Sequence, residues 1–289
     1  GTESTYVGNR YFLGIWDNPA SGTVNTSTNT ITFAAKNFID GDYTAGQSTE
    51  FGVVPTYYSR DATCTAPSVG NWNIVTSWST VSHSGAAASS FPTGEPVVIA
   101  NNHIVSTNGM SRKTSVLTLT GTGLLDLANT VGHDLGTVLG TGTIKLTPSS
   151  AGFYVFPAGN YTYFTAAGGG TIELSNTGGT AIFPYLPAYN NLNLTGSGPK
   201  QMIDADITVN GTLTNATGSG FIASGIGSLI LNADWVNDGA FTHNGGTTVF
   251  NGNTILSGNN TPVLNNLIIN AGKSMAGPAG GIFGVAGNW

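Results

Sequence analysis

Short apolar–polar–apolar triplets recur along most of this chain, and they constrain its fold more than any other feature of the sequence. In such a triplet the two apolar side chains point to one face of a β-strand, and the polar side chain points to the other. Gly, Asn, Thr and Ser fill the intervals, and these residues favour turns. The sequence therefore predicts many short strands joined by turns, with almost no helix. The triplets are Leu117–Leu119, Leu125–Leu127, Ile144–Leu146, Ile172–Leu174, Leu192–Leu194 and Ile207–Val209, with looser versions at Leu229–Leu231, Val249–Asn251 and Leu267–Ile269.

The spacing of these strands is typical of a stacked repeat. They follow one another at intervals of about 19 residues, which lies in the range of solenoid proteins. A unit of this length cannot bury its apolar face alone, so neighbouring units must pack on each other. We therefore expect an all-β fold, a parallel β-helix with one short strand per turn, and a right-handed one because parallel crossovers nearly always have that hand. Tandem antiparallel β-sandwiches are the alternative, since regular short strands also suit them.

A longer repeat is superimposed on the triplets. Asn190–Leu192 returns as Asn265–Leu267, 75 positions later, and Gly70–Trp72 returns as Gly287–Trp289. The Asn pairs favour the solenoid, because stacked Asn side chains can form hydrogen-bond ladders between turns. We also expect from these repeats that the solenoid continues beyond residue 289 in the full protein.

Residues 1–66 differ from the rest and are predicted to form an N-terminal β domain or a cap. Tyr11–Trp16 is an apolar, aromatic strand candidate, and Asn29–Phe33 alternates cleanly. The end of a solenoid exposes a sheet edge that needs covering, which such a cap would provide. Asp40–Asp42 is predicted to be a plain turn, because it lacks the further oxygen ligands of a calcium loop. The boundary is placed near Pro67, and residues 67–289 are assigned to the solenoid.

Low charge excludes several classes of protein. Only 8 Lys and Arg and 14 Asp and Glu occur among 289 residues, so no basic patch for nucleic acid can form. No apolar run is long enough to predict a membrane span. The first residues lack a secretory signal pattern, so either such a signal has been removed or the chain is a piece of a longer protein. Cys64 stands alone, which predicts no internal disulfide.

Several segments, in their order along the chain, resemble parts of large gliding-type surface adhesins of the Bacteroidota. The first are Tyr57–Arg60, Gly70–Asn73 and Ser77–Ser79. The Asn-Asn-Leu copies, Val209–Leu213, Asp234–Gly239 and Val249–Gly252 look like internal repeats of the same family. The resemblance covers roughly residues 57–289 and implies a very long cell-surface protein exported by the type IX secretion system. It implies no catalytic residues and no cofactor.

Two groups of side chains are candidates for a functional site. Asp204 and Asp206 lie two apart, are predicted on one side of a strand, and have Lys200 nearby; such residues serve polysaccharide lyases or bind Ca²⁺. A solvated polar surface is the preferred interpretation. Trp72 and Trp78, six positions apart, would face one side of an extended strand and stack on sugar rings. Core packing is the preferred interpretation for them, because large aromatic side chains are mostly buried.

The histidines show no metal-binding spacing and are predicted to be separate structural or surface residues, with a composite metal site left open. They are His83, His103, His133 and His243. The sequence thus favours a non-enzymatic segment of a large extracellular protein, with a structural and adhesive role and no cofactor or metal. Possible partners are surface glycans, the secretion machinery or other copies of the chain. A carbohydrate-active β-helix, either a lyase or a hydrolase, and a carbohydrate-binding module are the alternatives.

Overall fold

A computed structural model of the protein describes residues 6–12, 15–28, 30–32, 42–47, 54–149, 152–184, 186, 188–277 and 283–289. The first four strands form an antiparallel sheet in the order β3-β2-β1-β4. Their bounds are β1 (Tyr6–Phe12), β2 (Ile15–Asn25), β3 (Thr30–Thr32) and β4 (Asp42–Gln47). Asp40 and Gly41 of the predicted turn lie outside the described residues.

From Tyr57 onward the strands, apart from β7, which pairs antiparallel with β5, stack in parallel and form a β-solenoid of about nine turns. This confirms the predicted parallel β-helix, and the alternative of antiparallel sandwiches is wrong for this part of the chain. The parallel stack begins before Pro67, because Tyr57 and Tyr58 already pair in parallel with Val97 and Val98.

The N-terminal half of the stack also contains the short helix α1 (Asp61–Cys64) and a 3-10 turn at Val75–Ser77. Its strands are β5 (Tyr57–Ser59), β6 (Gly70–Asn71), β7 (Trp78–Ser79), β8 (Val97–Ile99), β9 (Ile104–Ser106), β10 (Val116–Leu119), β11 (Leu124–Asp126), β12 (Asp134–Gly140), β13 (Thr143–Leu146) and β14 (Ala158–Asn160).

The C-terminal half begins with the short helix α2 (Thr162–Thr165). Its strands are β15 (Thr171–Ser175), β16 (Ala181–Ile182), β17 (Ala188–Tyr189), β18 (Asn191–Thr195), β19 (Pro199–Gln201), β20 (Ile207–Val209), β21 (Leu213–Asn215), β22 (Gly220–Ile222), β23 (Ser228–Leu231), β24 (Trp235–Asn237), β25 (Ala240–Thr242), β26 (Thr247–Phe250), β27 (Thr254–Ser257), β28 (Val263–Leu264), β29 (Asn266–Ile269), β30 (Met275–Ala276) and β31 (Gly284–Val285).

The strands lie on several faces of the solenoid. A ten-stranded sheet, the long sheet, runs in the order β30-β27-β24-β21-β18-β15-β13-β11-β9-β6. The N-terminal half adds the sheet β14-β12-β10-β8-β5-β7, and the C-terminal half adds a four-strand side sheet, β16-β19-β22-β25, and a five-strand side sheet, β17-β20-β23-β26-β29. A turn therefore holds two or three strands, and the prediction of one strand per turn is wrong. Leu117–Leu119 and Leu125–Leu127, for example, lie in one turn on two different sheets.

Turn length is nearly constant in the C-terminal half. Leu192 and Leu213 pair across adjacent turns of the long sheet at a separation of 21 residues. Ile144 and Ile172 pair at a separation of 28, because the intervening turn carries the extra helix α2. Insertions are thus accommodated at corners, while the sheet register is kept.

The side chains of the triplets point as predicted, with the apolar residues in the interior and the polar residue on the surface. Leu192 and Leu194 are fully buried, while Asn193 between them points outward. In the C-terminal half aromatic rings also pack on one another: Phe183 and Phe221 are stacked with centroids 5.9 Å apart, and Phe221 and Phe241 are tilted with centroids 5.4 Å apart. Each such ring pair adds about 0.5–1.5 kcal/mol to the stability that burial alone supplies.

The 75-residue repeat does not correspond to a whole number of turns. Asn191 begins β18 of the long sheet, whereas Asn266 begins β29 of the five-strand side sheet. Both copies nevertheless make the same bond: the Nδ2 groups of Asn190 and Asn265 donate to carbonyl oxygens of the preceding turn at 2.8 and 2.7 Å. The Asn-Asn-Leu motif therefore indicates a corner with this inter-turn bond, and its 75-residue spacing is not the repeat length of the solenoid.

Candidate functional site

Trp72 and Trp78 lie in the core of the first turn and not on its surface. Both side chains are fully buried, and their ring centroids are 5.1 Å apart in an edge-to-face arrangement. The indole N–H of Trp72 donates to the Pro92 carbonyl at 2.9 Å, and that of Trp78 donates to the Trp72 carbonyl at 2.8 Å. Core packing is confirmed for both residues, and glycan contact through their rings is wrong because neither face reaches solvent.

Asp204, Asp206 and Lys200 do not form a common site. The two aspartates are exposed and lie in the bend before β20, so their predicted position on a strand is wrong. Asp204 accepts a hydrogen bond from the Ser224 hydroxyl at 3.1 Å, and Asp206 accepts one from the Ser228 backbone N–H at 2.7 Å. Lys200 points into the interior, away from both carboxylates.

Lys200 supports a corner from inside. Its side chain is fully buried, and its Nζ donates to the Gly196 carbonyl at 2.7 Å and to the Ser219 hydroxyl at 2.9 Å. No carboxylate of the described residues lies within salt-bridge distance of it. Burial lowers the pKa of Lys200 to about 8, against a weaker opposing effect of Glu173. The residue is therefore a structural brace held in an unfavourable environment for its charge.

A serine, a histidine and an aspartate come together between the first two turns. The Ser59 hydroxyl lies 2.7 Å from Nδ1 of His103, and Nε2 of His103 lies 3.0 Å from Oδ1 of Asp61. The Asp61 carboxylate can only accept, so the neutral ring of His103 carries its proton on Nε2 and donates to Asp61, while Nδ1 accepts from the Ser59 hydroxyl. The Ser59 oxygen also accepts the Ala100 backbone N–H at 3.1 Å. The serine oxygen is fully buried, while the aspartate is exposed. Because the Ser59 oxygen is buried, it is not placed to attack a substrate. The three side chains instead connect the first two turns of the solenoid.

The remaining histidines take structural positions as well. The ring of His83 lies 5.5 Å from that of His103, so these two are not separate as predicted. His133 is buried, accepts the Arg112 backbone N–H at 3.1 Å and bonds the Thr130 hydroxyl at 2.9 Å. Burial lowers the pKa of both His103 and His133. Within the described ranges, no three His, Cys, Asp or Glu side chains are grouped as metal ligands.

A recurring side-chain bond links neighbouring turns at six positions of the described residues. In it, a corner Asn or Asp oxygen accepts a backbone N–H that lies 21 or 22 residues further on, at 2.7–3.1 Å. The side-chain oxygen accepts a hydrogen bond from a backbone N–H that has no main-chain acceptor at the corner. The bond therefore satisfies this donor and fixes the conformation of the corner. Asp206, a candidate for lyase chemistry or Ca²⁺ binding from the sequence, makes this structural contact. The pairs are Asn101 with Thr122, Asn191 with Thr212, Asp206 with Ser228, Asp234 with Ile255, Asp238 with Asn259 and Asn266 with Asn288.

Four asparagines form a continuous ladder along one corner of the C-terminal half. The Nδ2 group of Asn232 donates to Oδ1 of Asn210 at 2.8 Å, that of Asn251 to Asn232 at 2.7 Å, and that of Asn270 to Asn251 at 2.6 Å. Asn210 continues the series by donating to the Thr165 carbonyl at 3.0 Å. A ladder of this kind was predicted for the Asn-Asn pairs, and that location is wrong. We call these four residues the Asn ladder.

An apolar column lies beside the Asn ladder on the outer surface of the five-strand side sheet. Thr208, Ile230, Val249 and Ile268 pair with one another in consecutive turns. They point outward, since both strand neighbours of the first three are buried, as is Leu267 before Ile268. Each lies two positions before an asparagine of the ladder, which puts both rows on one side of an extended chain. The strands of this sheet contain no charged residue. The ladder and the column together form a neutral surface, which we call the ladder face.

The sequence does contain a signal for the Asn ladder. Each ladder asparagine follows an apolar residue and precedes a small one, and the four asparagines are 22, 19 and 19 residues apart. These separations equal the turn length, so the pattern marks equivalent positions in consecutive turns. The segments are Val209-Asn210-Gly211, Leu231-Asn232-Ala233, Phe250-Asn251-Gly252 and Ile269-Asn270-Ala271.

Comparison with known proteins assigns no family to this chain. It matches no protein-family model, no curated protein and no solved structure. Among the described residues, no helix combines the length and the apolar character needed to cross a membrane.

Proposed function

We propose that this chain is a non-enzymatic structural and adhesive segment of a large extracellular surface protein. The observation that carries the proposal is the continuous stack, in which corner Asn and Asp side chains bond one turn to the next. About nine turns at a strand spacing of about 4.8 Å give a rod roughly 40 Å long. A rod of this kind holds surface groups at a distance from its point of attachment.

The side chains that would serve an enzyme are separated or already engaged. Lys200 is buried in the interior, while Asp204 and Asp206 lie at an exposed bend. Ser59 is buried behind His103 and bonded on both sides. These contacts give a polysaccharide lyase or a serine hydrolase no support, and they agree with a role that depends on shape.

The extracellular location and the export route rest on the resemblance to Bacteroidota surface adhesins. Export by the type IX secretion system and a place in a gliding-type adhesin belong to this proposal. Low charge supports an adhesive role, because a neutral surface attracts its target without strong dependence on salt. Surface glycans, the secretion machinery and other copies of the chain are the partners that we propose.

Adhesion is tested by coating microspheres with the folded chain and measuring their retention under flow. The surfaces carry neutral polysaccharide, polyuronate, or the chain itself, and microspheres with an unrelated protein or the heat-unfolded chain are controls. We expect retention of the folded chain on at least one surface, at low and at high salt alike.

Retention at the level of the controls on every surface, together with release of unsaturated products from polyuronate by the soluble chain, would replace the adhesive proposal with a lyase.

A further inference from the structure

The Asn ladder leaves hydrogen-bonding groups open to solvent at regular intervals. A side-chain amide has two N–H donors and two acceptor lone pairs. Asn232 and Asn251 each use one donor and one acceptor within the ladder. Within the part of the chain that the structure describes, no other partner takes the second donor or the second lone pair. Asn251 and Asn270 are exposed, so these groups are available.

We propose that the ladder face binds a neutral glycan chain that lies along the solenoid axis. A hydroxyl group both donates and accepts a hydrogen bond, so it matches the free N–H and the free lone pair of one ladder amide. The amides repeat at the strand spacing of about 4.8 Å, which is close to the advance of an extended polysaccharide by one sugar ring. This inference deepens the adhesive function proposed above and rests on it.

The apolar column supplies the second half of the site. Ile230 and Val249 are half-buried, and Ile268 is 47% exposed, on the same side as the Asn ladder. Aliphatic side chains in such a row can pack against the C–H faces of sugar rings while the neighbouring amides bond the hydroxyls. A polymer with both kinds of surface fits the ladder face better than one with a single kind.

Charge separates neutral glycans from acidic ones. The strands of the five-strand side sheet contain no Lys or Arg that would neutralise a carboxylate or a sulfate. The charged residues nearest to the ladder in sequence are Asp206, Asp234 and Lys273, and the two aspartates give this region an acidic balance. An anionic polymer would therefore be repelled or, at best, not attracted.

A protein strand is a poorer fit than a glycan for this surface. The main-chain groups of β20, β23 and β26 are used in parallel pairing to strands on both sides. A strand that is added by backbone pairing needs a free edge, and the ladder face is the outer surface of the sheet. The ladder face presents side-chain amides, which recur along the solenoid axis as the hydroxyl groups recur along a glycan chain.

The test compares two variants that lose the same type of inter-turn bond. Asn251→Ala/Asn270→Ala removes two ladder amides, and Asn259→Ala removes an exposed amide that bonds Asp238 at 2.7 Å on another corner. Binding is measured by calorimetry with neutral gluco-, manno- and xylo-oligosaccharides of increasing length, and with an oligouronate. Thermal melts of all proteins accompany the titrations.

We expect neutral oligosaccharides to bind with an affinity that rises with length and levels off near about four sugar units, one for each ladder turn. The ladder variant should bind at least ten-fold more weakly, whereas Asn259→Ala should bind like the native chain. Val249→Thr, which keeps the side-chain shape, should weaken binding by a smaller factor.

Three results would overturn the proposal: no binding of neutral oligosaccharides, tighter binding of the oligouronate, or equal loss in the ladder and Asn259 variants. The microsphere assay separates this failure from that of the adhesive function. If microspheres carrying the ladder variant are retained like those carrying the native chain, adhesion stands and the ladder site is wrong. If native microspheres are not retained, the adhesive function itself is wrong.

Discussion

Replacement of Lys200 by methionine tests whether the interior of the solenoid holds an unfavourable charge. The native side chain is fully buried and bonds only Gly196 and Ser219, neither of which carries a charge. Methionine is similar in length and apolar, so Lys200→Met removes the charge and keeps most of the volume. It also removes both hydrogen bonds, and their loss lowers stability by an amount that does not depend on pH.

The pH-dependent part of the effect follows from the two pKa values of Lys200. Burial lowers its pKa to about 8 in the folded chain. The unfolded value is about 10.4, and the difference amounts to roughly 3 kcal/mol of destabilisation at neutral pH. Between these two values the unfolded chain binds more protons than the folded chain, so the native free energy of unfolding rises with pH. Roughly 2 kcal/mol of that rise should occur between pH 7 and pH 10.

The assay is urea unfolding, followed by tryptophan fluorescence, of the native chain and of Lys200→Met at pH 7, 8, 9 and 10. Burial raises the pKa of Cys64 and of Tyr189, so both proteins lose stability at high pH for reasons that they share. The difference between the two proteins isolates Lys200, and we expect it to shift in favour of the native chain as the pH rises. A difference that stays constant over this range would show that the ammonium is solvated or paired, and would refute the buried brace.

Three further predictions concern single residues, each measured by urea unfolding. Asn232→Ala removes two inter-turn bonds, and we expect a loss of about 1–2 kcal/mol; an unchanged midpoint would mean that the ladder adds no stability. Gly252→Ala places a methyl group against the Asn232 carbonyl, so it should destabilise the chain strongly, whereas Gly94→Ala, with open space around it, should not; equal effects would contradict the close approach. Burial lowers the pKa of His103, so protons bind the unfolded chain first and stability should fall as the pH drops below about 6.5. His103→Gln should reduce that fall, and an identical pH profile would place the effect elsewhere.

The triplets predicted the strands and their buried faces, and they did so because alternation depends only on the direction of successive side chains. Leu192-Asn193-Leu194 is the clearest case: the two leucines are buried and the asparagine points outward. Alternation does not report which sheet a strand joins. Leu117–Leu119 and Leu125–Leu127 therefore looked like two turns, although they are two sides of one turn.

Lys200 shows why the site could not be predicted from residue types. A lysine close to two aspartates in sequence suggested a charged surface cluster. In the structure Lys200 is the inward-facing middle residue of β19, and the corner between β19 and β20 leaves Asp204 at the exposed bend. The direction of a side chain at a corner depends on the backbone of the turn and on the neighbouring turns, neither of which the local sequence specifies.

The Asn ladder was within reach of the sequence but needed the turn length. Once the separation of paired residues is known to be near 21, the recurrence of apolar, Asn and small residues at 22, 19 and 19 positions becomes visible. The Asn-Asn pairs are identical in sequence, yet their 75-residue offset places them in two different sheets. Asparagines at equivalent positions of consecutive turns thus predicted the ladder better than identical Asn-Asn segments did.

Spin-label distances along the outer surface of the long sheet test the stacked architecture most directly. Asp126, Lys145, Glu173, Asn193, Thr214, Val236 and Ser257 are paired in succession, one per turn. A label at Ser257 is combined in turn with one at Glu173, Lys145 or Asp126, in a chain whose buried Cys64 is replaced by alanine. These pairs span four, five and six turns, and pulsed electron resonance should give distances of about 19, 24 and 29 Å, before the added length of the labels. Distances that do not increase by about 4.8 Å per turn would contradict the parallel stack, and with it the rod on which the proposed function depends.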